Sequence, residues 1–168
     1  MWIGTAGGFG YAPVAPGTSG SLAGGLLFLG FSWLGLSLGV YAAIVAGLSL
    51  LGIWAAGHCE TAFGNKDDGR IVIDEVAGQL VTLAPVFVYG EGAEARGAGA
   101  TTFEWWGLVV TGFVVFRVLD IWKPGPVRWA EQRFEGGLGV MADDLLAGVI
   151  GGLLLTVFCI VLAVTESS

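Results

Sequence analysis

Six carboxylates stand at the ends of long apolar segments: Asp67, Asp74 and Glu75 in one stretch, Asp120 in a second, and Asp143 and Asp144 in a third. A carboxylate at the edge of hydrocarbon is costly unless it is paired, hydrated or metal-bound, so each is a candidate functional residue. Oxygen donors without a histidine or cysteine cluster suit a hard cation. Mg²⁺ in particular takes one or two carboxylates, several waters and a substrate phosphate. The set therefore points to a magnesium and phosphate site. Taken singly, each acid could instead cap a helix N-terminus or pair with a neighbouring Arg or Lys.

Arg117 and Asp120 are three apart, hence on one helix face, and Lys123 continues that side before Pro124 ends the helix. Arg117, Lys123 and Arg128 could hold a phosphate by charge-assisted hydrogen bonds. Snorkelling of long basic side chains is the plainer account of Lys123 and Arg128, and suits the deeper Arg117 less well. Thr18, just ahead of the first apolar segment, offers a hydroxyl either to phosphate or to the helix start. His58 is the sole histidine and reads as an interfacial hydrogen-bonding residue outside the site.

The elements that must position these groups follow from composition. Of 168 residues, 55% are hydrophobic and only 12% charged, with a mean hydropathy of +0.79, which marks an integral membrane protein. No charge occurs in residues 1–59, 76–90, 105–116 or 145–165. With roughly 20 apolar residues needed per crossing, the chain divides into five spans. These are Ser21 to Trp33, Leu36 to Ala56, Ile73 to Tyr89, Phe103 to Trp122 and Asp143 to Val164, the first of them short. The expected architecture is an all-α polytopic bundle in one membrane-embedded domain, residues 1–168. The run from Gly4 to Gly20 lacks the basic start of a signal peptide and ends in a Pro16-Gly17-Thr18-Ser19 helix start with a hydroxyl cap.

Five spans put the N-terminus, the 57–72 loop and the 123–142 loop on one face. That face carries Lys66, Arg70, Arg117, Lys123, Arg128 and Arg133, while Arg96 lies opposite among Glu91, Glu94 and Glu104. The positive-inside rule makes the basic face, and with it the acidic motifs and the N-terminus, cytoplasmic. A net charge of −7 argues against nucleic acid as a partner. Cys59 is expected near the inner face and Cys159 near the outer end of the last span, so they should not pair. The sequence leaves the oligomeric state open.

Asp144, Gly148 and Gly152 are spaced by four, as are Asp74 and Gly78. Glycines at that spacing let helices approach closely and would carry the acids of separate spans together. Several phosphatase chemistries are absent. Cys59 is followed six positions on by Asn65 rather than Arg, one histidine cannot supply a nucleophile and a partner, and no Asp-x-Asp pair occurs. Metal-activated attack by water remains.

The chain resembles the phosphatidylglycerophosphatase A family of bacterial inner-membrane lipid phosphatases. The resemblance rests on Ala15-Pro16-Gly17-Thr18-x-Gly20-Ser21, Asp67-x-Gly69-x-Ile71-Val72-x-Asp74-Glu75-x-x-Gly78, Phe116-Arg117-x-x-Asp120-Ile121-x-Lys123-Pro124-x-Pro126-x-Arg128, and Gly136-Gly137-x-Gly139-x-Met141-x-Asp143-Asp144-x-x-Ala147-Gly148. It implies Mg²⁺-dependent hydrolysis of phosphatidylglycerophosphate to phosphatidylglycerol at the cytoplasmic face. The metal residues would be Asp67, Asp74, Glu75, Asp143 and Asp144, with Asp120 among the catalytic acids and Thr18, Arg117, Lys123 and Arg128 on the phosphate. The sequence departs from the family at Phe9, Glu131 and Gln132, and Glu131 is left outside the site. The alternatives are a phosphatase of another lipid or isoprenoid phosphate, and a small ion or proton transporter whose acids form a relay.

Overall fold

The computed structural model describes residues 1–66, 68–95 and 102–166. The regular structure of the described residues is all helical, without strands. A 3-10 segment, Ala6–Tyr11, precedes six α-helices: α1 (Pro16–Trp33), α2 (Leu38–Phe63), α3 (Ile73–Ala95), α4 (Thr102–Trp122), α5 (Gly125–Arg133) and α6 (Gly136–Glu166). The expected all-α bundle is present. Among the described residues, α2, α4 and α6 contain stretches long and apolar enough to cross a membrane. Their outward positions, including Leu50, Val114, Leu153 and Val157, leave large apolar side chains exposed, as a lipid-facing surface requires.

The helix starts differ from the sequence expectation in instructive ways. α1 begins at Pro16, whose fixed φ suits the first helical position, and its N-cap is Ala15 in the left-handed region (φ 50°) rather than a hydroxyl residue. The Ser19 hydroxyl faces the carbonyls of Phe9 and Pro16 instead, at 2.6 and 2.7 Å, and ties the N-terminal segment to α1. That segment is further pinned by the Val72 and Ile73 N–H groups, which both donate to Gly4 O at 2.9 and 3.2 Å. α2 starts at Leu38, two residues after the expected Leu36, with Ser37 Oγ accepting from Val40 N–H, and it runs past Ala56 to Phe63. Its extension past Ala56 packs Gly57 beside Gly137 of α6, where a Cβ added at Gly137 would lie 2.7 Å from Gly57 N.

α6 carries the largest difference. It begins at Gly136, seven residues before Asp143, and α5 fills most of the remaining connection from α4. The 123–142 segment is therefore mostly helix rather than loop. Apolar length alone left it as a connection between two spans, yet Val140 and Met141 are buried and Gly137 packs its bare backbone on Ile53 of α2. Tertiary contact overrides the low helix propensity of glycine.

α3 is the hub, packed against α1, α2, α4 and α6. Val76, Ala77, Leu80, Leu83 and Val86 are all fully or almost fully buried. Farther along it, Tyr41 of α2 donates to Leu80 O at 2.6 Å and stacks on Phe87, ring centroids 4.6 Å apart.

Candidate metal and phosphate site

α3 meets α6 where each has only hydrogen for a side chain. A Cβ added at Gly148 would lie 2.6 Å from Gly78 O, and one at Gly78 would lie 2.6 Å from Asp144 O. Asp74 precedes Gly78, and Asp144 precedes Gly148, by one helical turn. The close crossing thus delivers both acids to one place. The glycine stripes do the packing work expected of them, and the acids ride on them.

Carboxylate oxygens of Asp74, Glu75 and Asp144 lie within 4.8 Å of one another. Asp74 and Glu75 occupy the first turn of α3, where the helix N-terminus favours negative charge. Asp120, in the last turn of α4, lies against Asp144 and within electrostatic reach of Glu75. Arg117, one turn earlier on α4, donates from Nη1 to Asp120 Oδ2 at 2.5 Å and to Ser21 Oγ at 3.3 Å. Gly17 of α1 makes room for this group, because a Cβ there would collide with Glu75 Oε1 and stand 3.4 Å from both terminal nitrogens of Arg117.

The donor set fits a hard divalent cation. One guanidinium offsets one of four carboxylates, and unit charges this close repel by about 3 kcal/mol per pair at an effective dielectric near 20. Glu75 Oε2 is buried with no hydrogen-bond partner, so a ligating oxygen is available. Arg117 Nε is likewise buried and unpartnered, which leaves a donor for a phosphate oxygen beside the acids.

Neighbours in a helix point about 100° apart, and this separates the Asp143-Asp144 pair. Asp144 joins the acidic cluster, whereas Asp143 accepts from Lys123 Nζ at 2.7 Å. Lys123 also donates to Glu131 Oε1 at 2.6 Å, so Glu131, set aside on sequence grounds, is drawn to the edge of the site. Burial works against the Lys123 charge, but its hydrogen bonds to Asp143 and Glu131 hold the ammonium well above its usual range. Neither Asp143 nor Asp144 sits at a helix start, which removes the N-cap explanation for both.

The remaining expectations divide. Arg128 is exposed on α5, and Thr18 is half-buried in the first turn of α1, where Gly17 and Ser21 are the residues that reach the cluster. Asp67 lies outside the described residues. Its neighbour Asp68 makes a two-point ion pair with Arg70 at 2.7 and 2.8 Å, and that hydrogen-bonded guanidinium holds the carboxyl well below the usual range. His58 Nδ1 lies 2.8 Å from Trp54 O, away from the cluster. Cys59 and Cys159 are both unbridged. Sequence reasoning missed Gly17 and Ser21 as site residues, although their spacing of four ahead of an apolar helix was a legible signal.

The family description "Phosphatidylglycerophosphatase A" matches residues 2–159. A Bacteroides thetaiotaomicron protein provisionally named a phosphatidylinositol-3-phosphatase is 37% identical over 92% of this chain and 90% of its own length. Phosphatidylglycerophosphatase A of Escherichia coli is 36% identical over 85% of this chain and 73% of its own, and that of Haemophilus influenzae 33% over 80% and 73%. No solved structure matches the chain. A match across nearly the whole sequence, with the acidic cluster inside it, means that this chain belongs to the phosphatidylglycerophosphatase A family of phosphatases.

Proposed function

We propose that the protein removes the terminal phosphate of phosphatidylglycerophosphate, giving phosphatidylglycerol, with Mg²⁺ as its metal. The observation that carries this reading is the convergence of Asp74, Glu75 and Asp144, from two helices, beside the Arg117 guanidinium. Asp74, Glu75 and Asp144 hold the cation. Asp120 and Ser21 fix one end of Arg117 and direct its Nε edge to a phosphate oxygen. Lys123, clamped by Asp143 and Glu131, adds positive charge at the rim, and Thr18 and Arg128 line the approach. Bound there, a divalent cation supplies Lewis acidity and an activated water for in-line displacement at phosphorus.

The domain is a single one, residues 1–168, in the bacterial inner membrane, with five spans and with the N-terminus and site at the cytoplasmic face. The basic residues around the 57–72 and 123–142 segments support that orientation. α1 and α3 are the two spans of lower hydropathy, and α3 is enclosed by other helices, so it needs less hydropathy than a lipid-facing span. The site at one end of the bundle lets the acyl chains stay in the bilayer while the headgroup reaches the acids.

Phosphate release by purified protein in detergent tests the reading, with Mg²⁺ against EDTA. Activity that survives EDTA, or survives Asp144→Asn, rejects it. Because one relative is named for a phosphatidylinositol phosphate, that lipid belongs in the substrate panel, and a preference for it would move the substrate while leaving the site intact. Ion flux in proteoliposomes without phosphate release would favour a transporter.

A further inference from the structure

α5 is tethered at both ends to helices long and apolar enough to cross a membrane. Only Lys123 and Pro124 separate it from the end of α4, and only Phe134 and Glu135 from the start of α6. Each link reaches about 11 Å at most, so in a bilayer α5 is held along the surface. Trp122, the last residue of α4, is 74% exposed, and Trp129 of α5 is 57% exposed. Indole rings collect at the headgroup level, where the ring meets apolar matter and the N–H stays hydrated.

At about 100° per residue, Arg128, Gln132, Trp129 and Arg133 lie in that order along one arc of about 140°. All of them are exposed. On the opposite side Val127 and Ala130 are buried, and α5 packs on α6. Neither arginine forms an ion pair among the described residues. The arc holds no carboxylate: Glu131 lies on the inner side, paired with Lys123, and Glu135 follows the end of the helix. In a chain of net charge −7, this is a locally basic face, and it suits an anionic partner.

We infer that the outer face of α5 is a docking surface for the headgroups of anionic phospholipids in the surrounding bilayer. Arg128 and Arg133 meet lipid phosphate and carboxylate oxygens at its two edges, and Trp129 stands between them. The inference rests on the membrane placement of α4 and α6 and is independent of the hydrolytic reaction. Arg128 is at the edge nearer Glu131 and so also borders the approach to the acidic cluster, whereas Arg133, at the far edge, belongs to this face alone. Glu131 rides on the inner side of the same helix, so lipid contact also braces the carboxylate that accepts from Lys123 at 2.6 Å.

The test holds the full chain in neutral detergent micelles with equal amounts of phosphatidylserine and phosphatidylcholine and reads the retained lipid by native mass spectrometry. Phosphatidylserine is anionic but carries no phosphomonoester, so it separates this face from the hydrolytic site. The wild-type protein is expected to retain it over phosphatidylcholine by about tenfold or more, a preference that falls as ionic strength rises. Arg133→Gln is expected to cut the preference about fivefold, and Arg133→Lys to keep it. Arg117→Gln, at the acidic cluster, is expected to leave it unchanged. Equal retention of the two lipids by the wild type, or an undiminished preference in Arg133→Gln, overturns the assignment. Loss of the preference in Arg117→Gln moves the lipid to the acidic cluster and overturns it as well. Mg²⁺-dependent phosphate release decides the phosphatase reading separately, so either can fail while the other stands.

Discussion

Lys123 Nζ and Asp143 Oδ2 lie 2.7 Å apart, and that ion pair divides two adjacent aspartates into different tasks. Asp143 is committed to a cation supplied by the chain, while Asp144 faces Asp74 and Glu75. Asp144→Asn should therefore lower kcat by more than about 100-fold. Asp143→Asn, which only releases Lys123, should cost about 10- to 100-fold, as the loss of a supporting partner does. Steady-state kinetics of the two variants under saturating Mg²⁺ check this, and equal losses would contradict the division.

Arg117 anchors one end of its guanidinium on Asp120 and Ser21 and leaves Nε unpartnered. A lysine has one point of charge and cannot hold both partners while presenting a second edge. Arg117→Lys should lose roughly tenfold or more in kcat/KM despite the conserved charge. Wild-type kinetics in that variant would show that charge alone suffices.

Metal binding should be visible without substrate. A cation that binds only the folded protein raises its stability in proportion to ln(1 + [L]/Kd), about 2.7 kcal/mol at a hundredfold excess over Kd. Mg²⁺ should raise the melting temperature of the detergent-solubilised wild type, and Glu75→Gln or Asp144→Asn should abolish the shift. An unchanged shift in both variants would locate the metal elsewhere.

Gly148 lies against the backbone of α3, with Gly78 O only 2.6 Å from the position of an added Cβ. Gly148→Val should force the helices apart and destabilise by about 1–3 kcal/mol, with activity falling as the acids separate. Gly47→Ala in α2 is the control: nothing lies within 4 Å of its Cβ position, and the change should be neutral or stabilising by a few tenths of a kcal/mol to about 1 kcal/mol. Thermal unfolding of the two variants in the same detergent makes the comparison.

The sequence by itself determined the helical class, the uncharged lengths that become α2, α4 and α6, the pairing of Arg117 with Asp120, and the glycine spacing that brings Asp74 and Asp144 to one level. Each of these depends on helical periodicity or on hydropathy, which are local properties. Tertiary structure decided the rest. The start of α6 at Gly136 was hidden because helix made of glycine forms only where a neighbour, here Ile53 and Gly57 of α2, packs on its bare backbone. The separation of Asp143 from Asp144, the entry of Glu131 through Lys123, and the roles of Gly17 and Ser21 beside Arg117 depend on contacts between distant segments. Spacing along one helix fixes which residues share a face, but only the packing of several helices fixes what that face meets.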